Sequence, residues 1–238
     1  MRKILIGVVL AGFCAAVQPA FSQQGPGEGD LELNVFFGGA WHSQNRFEIS
    51  FPQSSPQEYK EFKLQTALSG GVRFNVFNSG HWGEEFSYGY ESNETRFISI
   101  FPSGPEQNLP IQIHQFGTNF LYYFDADEEM TVRPFLTAGI GATLYRPTDE
   151  ALAIAHDPAR GNMPGFGTST EFTFNYGWGM KIRAADRFGF RIDARGFLGR
   201  SPSFSLPRQS EDPAATVFPA SGPIHRGEVS AGLVFYLN

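Results

Sequence analysis

Cysteine is almost missing from this sequence of 238 residues: the one present, Cys14, lies inside an apolar N-terminal run. A fold stapled by disulfides is thereby excluded, and so is a cysteine-based metal site. Long apolar runs are missing as well. Beyond residue 22 no stretch approaches the roughly 18 consecutive apolar residues of a membrane-spanning helix. Basic charge is scarce: 18 Lys and Arg stand against 24 Asp and Glu, a net charge of −6. That balance leaves no surface suited to nucleic acid. The mean hydropathy of −0.23 argues against a bundle of membrane helices.

What is present points elsewhere. Hydrophobic residues make up 41% of the chain, too many for a disordered polymer. Glycine is abundant, 27 residues against a norm of roughly 7%, and it is spread through apolar stretches. Glycine there relieves crowding where strands bend and pack closely. Phenylalanine is also abundant at 25 residues, and the aromatic share is 15%. Such a share suits the aromatic girdles of a membrane barrel.

Residues 1–22 have the layout of an export signal. Arg2 and Lys3 precede an apolar run from Ile4 to Val17, and Ala20-Phe21-Ser22 places small residues at a cleavage site before Gln23. The run is too short to span a bilayer as a helix. Cys14 sits in mid-run after Phe13, the wrong place for a lipoprotein anchor. Removal of the leader leaves 16 basic against 24 acidic groups and no cysteine. Residues 23–30 are expected to form a short periplasmic segment.

From 31 to 238 eight segments alternate with period two, near 31–42, 63–77, 83–97, 115–124, 132–145, 170–182, 188–198 and 227–238. In the sixth, Phe172, Phe174, Tyr176, Trp178, Met180 and Ile182 alternate with Glu171, Thr173, Asn175, Gly177, Gly179 and Lys181. In the second, Leu64, Leu68, Val72, Phe74 and Val76 oppose Lys63, Gln65, Ser69, Arg73 and Asn75. Alternation alone also fits a soluble barrel. Three observations favour a membrane. The polar face carries charge at mid-strand, as in Arg191-x-Asp193-x-Arg195, while the apolar face is too bulky for a narrow interior. The strands are long, matching the roughly 9–11 residues of a tilted membrane strand. The connections alternate, long at 43–62, 98–110, 146–167 and 199–226, and short at 78–82, 125–131 and 183–187. The fold expected is all-β, a single closed antiparallel up-and-down membrane barrel of eight strands occupying 31–238, with both termini periplasmic.

Three stretches carry a resemblance: NYGWGMKI (175–182), then FGFRIDARGF (188–197) after a turn at Asp186-Arg187, and the terminal SAGLVFYL (230–237). In that order and spacing the chain resembles the small eight-stranded outer-membrane barrels of the OmpA/OmpX-like family. The resemblance implies a cell outer-membrane location and insertion by the barrel-assembly machinery, which reads an alternating C-terminal strand usually ending in an aromatic residue. Here the last residue is Asn238, a departure from that pattern. No peptidoglycan-binding domain is expected after the eighth strand, and the anchoring role of the two-domain members is not expected to carry over.

The candidate site is a lumenal charge network of Glu32, Arg73, Glu85, Arg133, Lys181, Arg191, Asp193 and Arg195. Buried charges must pair, since each alone costs several kcal/mol. Either a gate or a static plug satisfies that requirement, and the narrow lumen of eight strands favours the plug. His42 and His225 fall at the outer ends of adjacent strands with Glu228 nearby, but the spacing supports neither a catalytic triad nor a metal site. The acidic turn 125–129 lacks the glycine and spacing of a calcium loop. The loop at 199–226, with five prolines and apolar Phe204, Leu206, Val217 and Phe218, fits either a surface partner or the barrel mouth. The expected function is structural or surface-interacting and non-enzymatic, without cofactor or metal, in a monomer surrounded by outer-membrane lipids and lipopolysaccharide. The alternatives are a conduit for small solutes or hydrophobic ligands and, third, a lipid-modifying enzyme.

Overall fold

The computed structural model describes residues 31–43, 59–99, 107–127, 130–157, 163–208 and 222–237. The leader 1–22, the segment 23–30, and Glu128, Glu129, Val217, Phe218 and Asn238 lie outside the described residues. The strands are β1 (Leu31–His42), β2 (Tyr59–Leu64), β3 (Ala67–Ser79), β4 (Trp82–Ser99), β5 (Gln107–Tyr123), β6 (Val132–Pro147), β7 (Ser169–Ala185), β8 (Phe188–Arg200) and β9 (Pro223–Tyr236), and one helix, α1 (Asp149–His156), follows β6. Eight strands close an antiparallel ring in the order β1-β3-β4-β5-β6-β7-β8-β9, with β9 pairing back onto β1. β2 stands outside the ring and pairs with the far end of β4. No described helix is long and apolar enough to cross a membrane.

The register fixes the stagger of the ring. Paired residues lead from Tyr123 through Phe135, Gly179, Asp193, Ser230, Gly38, Ser69 and Glu91 to Ile113, back on β5 but ten residues away. Such a stagger in an eight-stranded ring tilts the strands by roughly 35–45°. At about 3.3 Å per residue, the apolar stretch of β7 from Phe172 to Ile182 then spans roughly 25–30 Å, the thickness of a hydrocarbon core.

The molecule is inside out relative to a soluble barrel. Arg73 is 2% exposed and Arg191 1%, whereas Leu68 and Phe172 are each 67% exposed. Lipid meets only the outer face, so the period-two pattern places the apolar side chains there and the charged ones inside.

The phase fails at one place. Leu64, which the alternation puts on the same face as Leu68, is buried, while Leu68 faces outward. Between β2 and β3 the chain leaves the strand at Gln65–Thr66. The Asn93 side chain fills the break, accepting from Gln65 N–H at 2.9 Å and donating to Gln65 C=O at 2.8 Å. An interruption of this kind reverses which face later residues occupy.

Above the apolar belt the interior changes character. Leu109, Ile111 and Ile113 of β5 point inward and pack with Leu64, Tyr145, Met163, Phe166, Phe204, Leu206, Ile224 and the Ala151 and Ala155 face of α1. Outside the bilayer both sides of the wall meet water, so the apolar side chains turn in. The span 146–167, expected to be a loop, thus contains a helix. Its start is capped by Thr148, whose Oγ1 accepts from Ala151 N–H at 3.2 Å, with Asp149 and Glu150 in the first turn.

At Gly141 on β6 an added Cβ would collide with the Phe116 carbonyl oxygen of β5. Gly141→Ala is expected to destabilise the barrel by about 1–3 kcal/mol, read as an earlier urea transition in lipid vesicles. Gly39→Ala, which meets nothing within 4 Å, is the control and should leave the transition in place.

Candidate functional site

All eight lumenal residues named from the sequence are buried. The structure draws five of them, Arg73, Glu85, Arg191, Asp193 and Arg195, into one cluster. Asp193 on β8 is its hub. Its Oδ1 accepts from Arg191 Nη2 at 3.0 Å and from Arg195 Nε and Nη2 at 3.2 and 3.1 Å; its Oδ2 accepts from Arg73 Nη1 at 3.0 Å and Arg191 Nε at 2.8 Å. Across the lumen Glu85 on β4 receives Arg195 Nη1 at 2.7 Å and Arg191 Nη2 at 2.7 Å, and Asn119 Nδ2 donates to it at 2.8 Å.

Three residues outside the expected set complete the cluster. Glu228 pairs with Arg73 at 3.0 Å and with Arg226 at 2.8 Å, and Arg226 reaches Glu91 at 2.8 Å. Four guanidinium groups (Arg73, Arg191, Arg195 and Arg226) therefore meet four carboxylates (Glu85, Glu91, Asp193 and Glu228) in one unbroken chain of ion pairs. The signal for the missing members was parity. Glu91 shares the inward face of Glu85, and Arg226 lies two residues before Glu228, yet it was assigned to the loop because the last strand was begun at 227.

The remaining three residues stand apart. Lys181 pairs with Glu32. Arg133 donates to the carbonyl oxygens of Gly80 at 2.9 Å and Asp125 at 3.4 Å, and lies 4.2 Å over the Tyr123 ring. Inward aromatic rings support the charges elsewhere too: Arg73 lies 3.7 Å over Phe36 and Arg191 4.6 Å over Phe135.

A lumenal cavity of about 20 Å³ lies among Ser87, Gln115, Asn175, Arg195 and the glycines Gly89 and Gly117. It has room for a water, not for a solute. Two layers of buried side chains lie in series, the ion-pair network at membrane depth and the apolar cluster above it.

The histidines form no centre. His42 faces the lumen, with Nδ1 3.3 Å from Gln65 O and 3.8 Å from Glu91. His225 faces outward and shares a 2.8 Å hydrogen bond with the Tyr176 hydroxyl. They lie on adjacent strands but on opposite sides of the wall, because His42 is level with Arg226 and His225 is one residue out of phase. Among the described residues no group of three His, Cys, Asp or Glu could hold a metal. In the acidic turn Asp127 N–H donates to Asp125 Oδ1 at 2.9 Å, an exposed local turn. Of the long loop's apolar residues, Phe204 and Leu206 pack into the apolar cluster over the mouth.

Comparison with known proteins agrees with this geometry. A family model described as outer membrane protein beta-barrel domain matches residues 6–218. No curated protein matches the sequence. Among solved structures, OprG from Pseudomonas aeruginosa is similar at 11% identity, with 89% of this chain and 97% of that chain covered and a TM-score of 0.58. Neisserial surface protein A is similar at 12% identity, covering 86% and 96%, with a TM-score of 0.49.

Proposed function

The chain belongs to the outer membrane protein β-barrel domain family, and from that premise we propose that it is a non-conducting surface protein. The barrel serves as anchor, and the end bearing α1 and the long connections is the working part. In this reading residues 1–22 are removed on export, both termini face the periplasm, and the barrel-assembly machinery inserts the barrel. The observation that carries it is the two successive layers of buried side chains in the lumen, one ionic and one apolar. A conduit needs a continuous path, and the cluster of four arginines and four carboxylates bridges the lumen from β3 and β4 to β8 and β9 where the bilayer would be crossed. Opening that path means separating buried ion pairs at several kcal/mol each.

The non-enzymatic reading rests on the same geometry. His42 has a carboxylate neighbour in Glu91, but the adjacent Ser43 belongs to the other face and its Oγ accepts from His225 N–H at 3.0 Å. A nucleophile and its base must share a face to exchange a proton.

Planar-bilayer recording tests the closure. The purified chain, folded and inserted, is expected to produce no conductance steps above the bare membrane. Reproducible ohmic steps would overturn the non-conducting reading and return the protein to the conduit class.

A further inference from the structure

Among the described residues three arginine side chains have no hydrogen bond, ion pair or ring partner: Arg146, Arg187 and Arg200. Arg187 lies in the tight turn between β7 and β8, at the end of the barrel where the chain begins. Arg146 and Arg200 lie at the opposite rim, both exposed and both on the outward face. On β6 the outward residues run Leu136, Ala138, Ile140, Ala142, Leu144 and then Arg146; on β8 they run Phe190, Ile192, Ala194, Gly196, Leu198 and then Arg200. Each arginine is therefore the first charged side chain above the apolar wall.

The two flank β7 with an offset: Arg200 is level with Phe172 and Ala142, four residues from Arg146 along β6, so their backbones lie about 16 Å apart across two strand spacings. Between them β7 presents Thr170 just above Phe172. His114 on β5 and His225 on β9 extend the sector to either side, and the Arg146 charge is near enough to act on His114. The remaining rim differs. On β1, β3 and β4 the outward residues at this height are Trp41, Leu68, Tyr90, Ser92 and Glu94, with no cation among them. Lys63 and Arg96 stand farther along β2 and β4 and have partners of their own.

We propose that the rim sector from β5 to β9, centred on Arg146 and Arg200, docks the phosphorylated headgroup of lipopolysaccharide. Unpaired guanidinium groups offer two parallel donors matched to phosphate oxygens. The wall directly below, with Ile140, Leu144, Phe172, Phe174 and Leu198, offers acyl chains an apolar surface. Anion above and hydrocarbon below is the order in which an outer-leaflet glycolipid presents itself. The inference rests on the outer-membrane orientation proposed above.

The test uses the full folded chain in phosphatidylcholine vesicles with graded fractions of purified lipopolysaccharide, half-saturation being followed by tryptophan fluorescence. The double variant Arg146→Gln/Arg200→Gln is expected to raise the half-saturating fraction roughly fivefold to tenfold, the combined effect of two exposed charge contacts. The corresponding double Lys variant keeps the charge but not the paired donors and should fall between wild type and the Gln variant, and dephosphorylated lipopolysaccharide should bind wild type as weakly as it binds the Gln variant. Unchanged binding by the Gln variant would overturn the proposal. Equal saturation by inorganic phosphate in lipid-only vesicles would replace it with a simple ion site. Because symmetric vesicles offer lipid to both rims, a loss caused by Arg187→Gln instead would assign the lipid to the other end. Absence of a heat-dependent gel shift in the wild-type chain would sink the membrane barrel itself, a result separate from all of these.

Discussion

Asp193→Ala is expected to cost about 3–5 kcal/mol of barrel stability, the range for removing one partner from a buried ionic cluster. Asp193 accepts five hydrogen bonds from three arginines. Its loss leaves four buried cations facing three carboxylates in a lumen too narrow to admit much water. Urea unfolding in lipid vesicles, followed by heat-dependent gel mobility, measures the effect. Asp193→Asn keeps the shape and part of the hydrogen bonding and should fall between Ala and wild type. A loss below about 1 kcal/mol for Ala would mean that the guanidinium groups rearrange onto Glu85 and Glu228 without strain, and the idea of a rigid plug would fail.

Phe204→Ala is expected to have a comparable effect confined to the outer end. Phe204 and Ser205 have φ of 49° and 63°, a left-handed backbone that costs a residue other than glycine about 1–3 kcal/mol. They are held there by what they touch. The Phe204 ring is fully buried, stacked on Phe166 at 4.8 Å and edge-on to Tyr145 at 6.3 Å. Gly167 N–H donates to Phe204 O at 2.8 Å, and the Ser205 hydroxyl donates to Thr168 O at 2.7 Å. Truncating a buried Phe costs about 3–5 kcal/mol. Protease cleavage within 148–168 and 201–208 should therefore rise by about two orders of magnitude, since local opening sets its rate. Conductance should remain absent, because the ion-pair network lies below and does not depend on the cluster. A conducting Phe204→Ala would make the apolar cluster the true seal.

The membrane-depth part of this fold was legible because a bilayer enforces a binary code. Lipid outside and polar groups inside leave each residue one choice, so Phe172 to Ile182 reads almost without ambiguity. Beyond the bilayer the code lapses. Leu109, Ile111 and Ile113 belong to the same inward face as Gln115 and Asn119 but are apolar, so the alternation fades there and the start of β5 at 107–110 falls within the expected connection 98–110. Leu64 was misplaced because an asparagine side chain, not a strand residue, completes the backbone pairing at Gln65. α1 did carry a local signal, Thr148 before two acids and an alanine-rich turn, but eight residues form too short a pattern to stand out against strands. The candidate site was readable as a set of inward charges. Which charge meets which was not, because partners such as Arg195 and Glu85 are 110 positions apart and are brought together only by the stagger of the ring.

The origin of the network's charges also bears on how the barrel assembles. Its members come from β3 and β4 on one side and from β8 and β9 on the other. The early hairpin contributes Arg73, Glu85 and Glu91 and is one negative charge in excess; the late hairpin contributes Arg191, Asp193, Arg195, Arg226 and Glu228 and is one positive charge in excess. Neither hairpin can satisfy its own charges, and β5 to β7 supply no counterion to the cluster. Neutralisation therefore waits until the last strands synthesised reach the first, so a half-inserted sheet carries an electrostatic penalty that vanishes only on closure. The same side chains that bridge the lumen would thus drive its seam to form, making barrel closure an all-or-none event with the two ends of the chain as opposite poles.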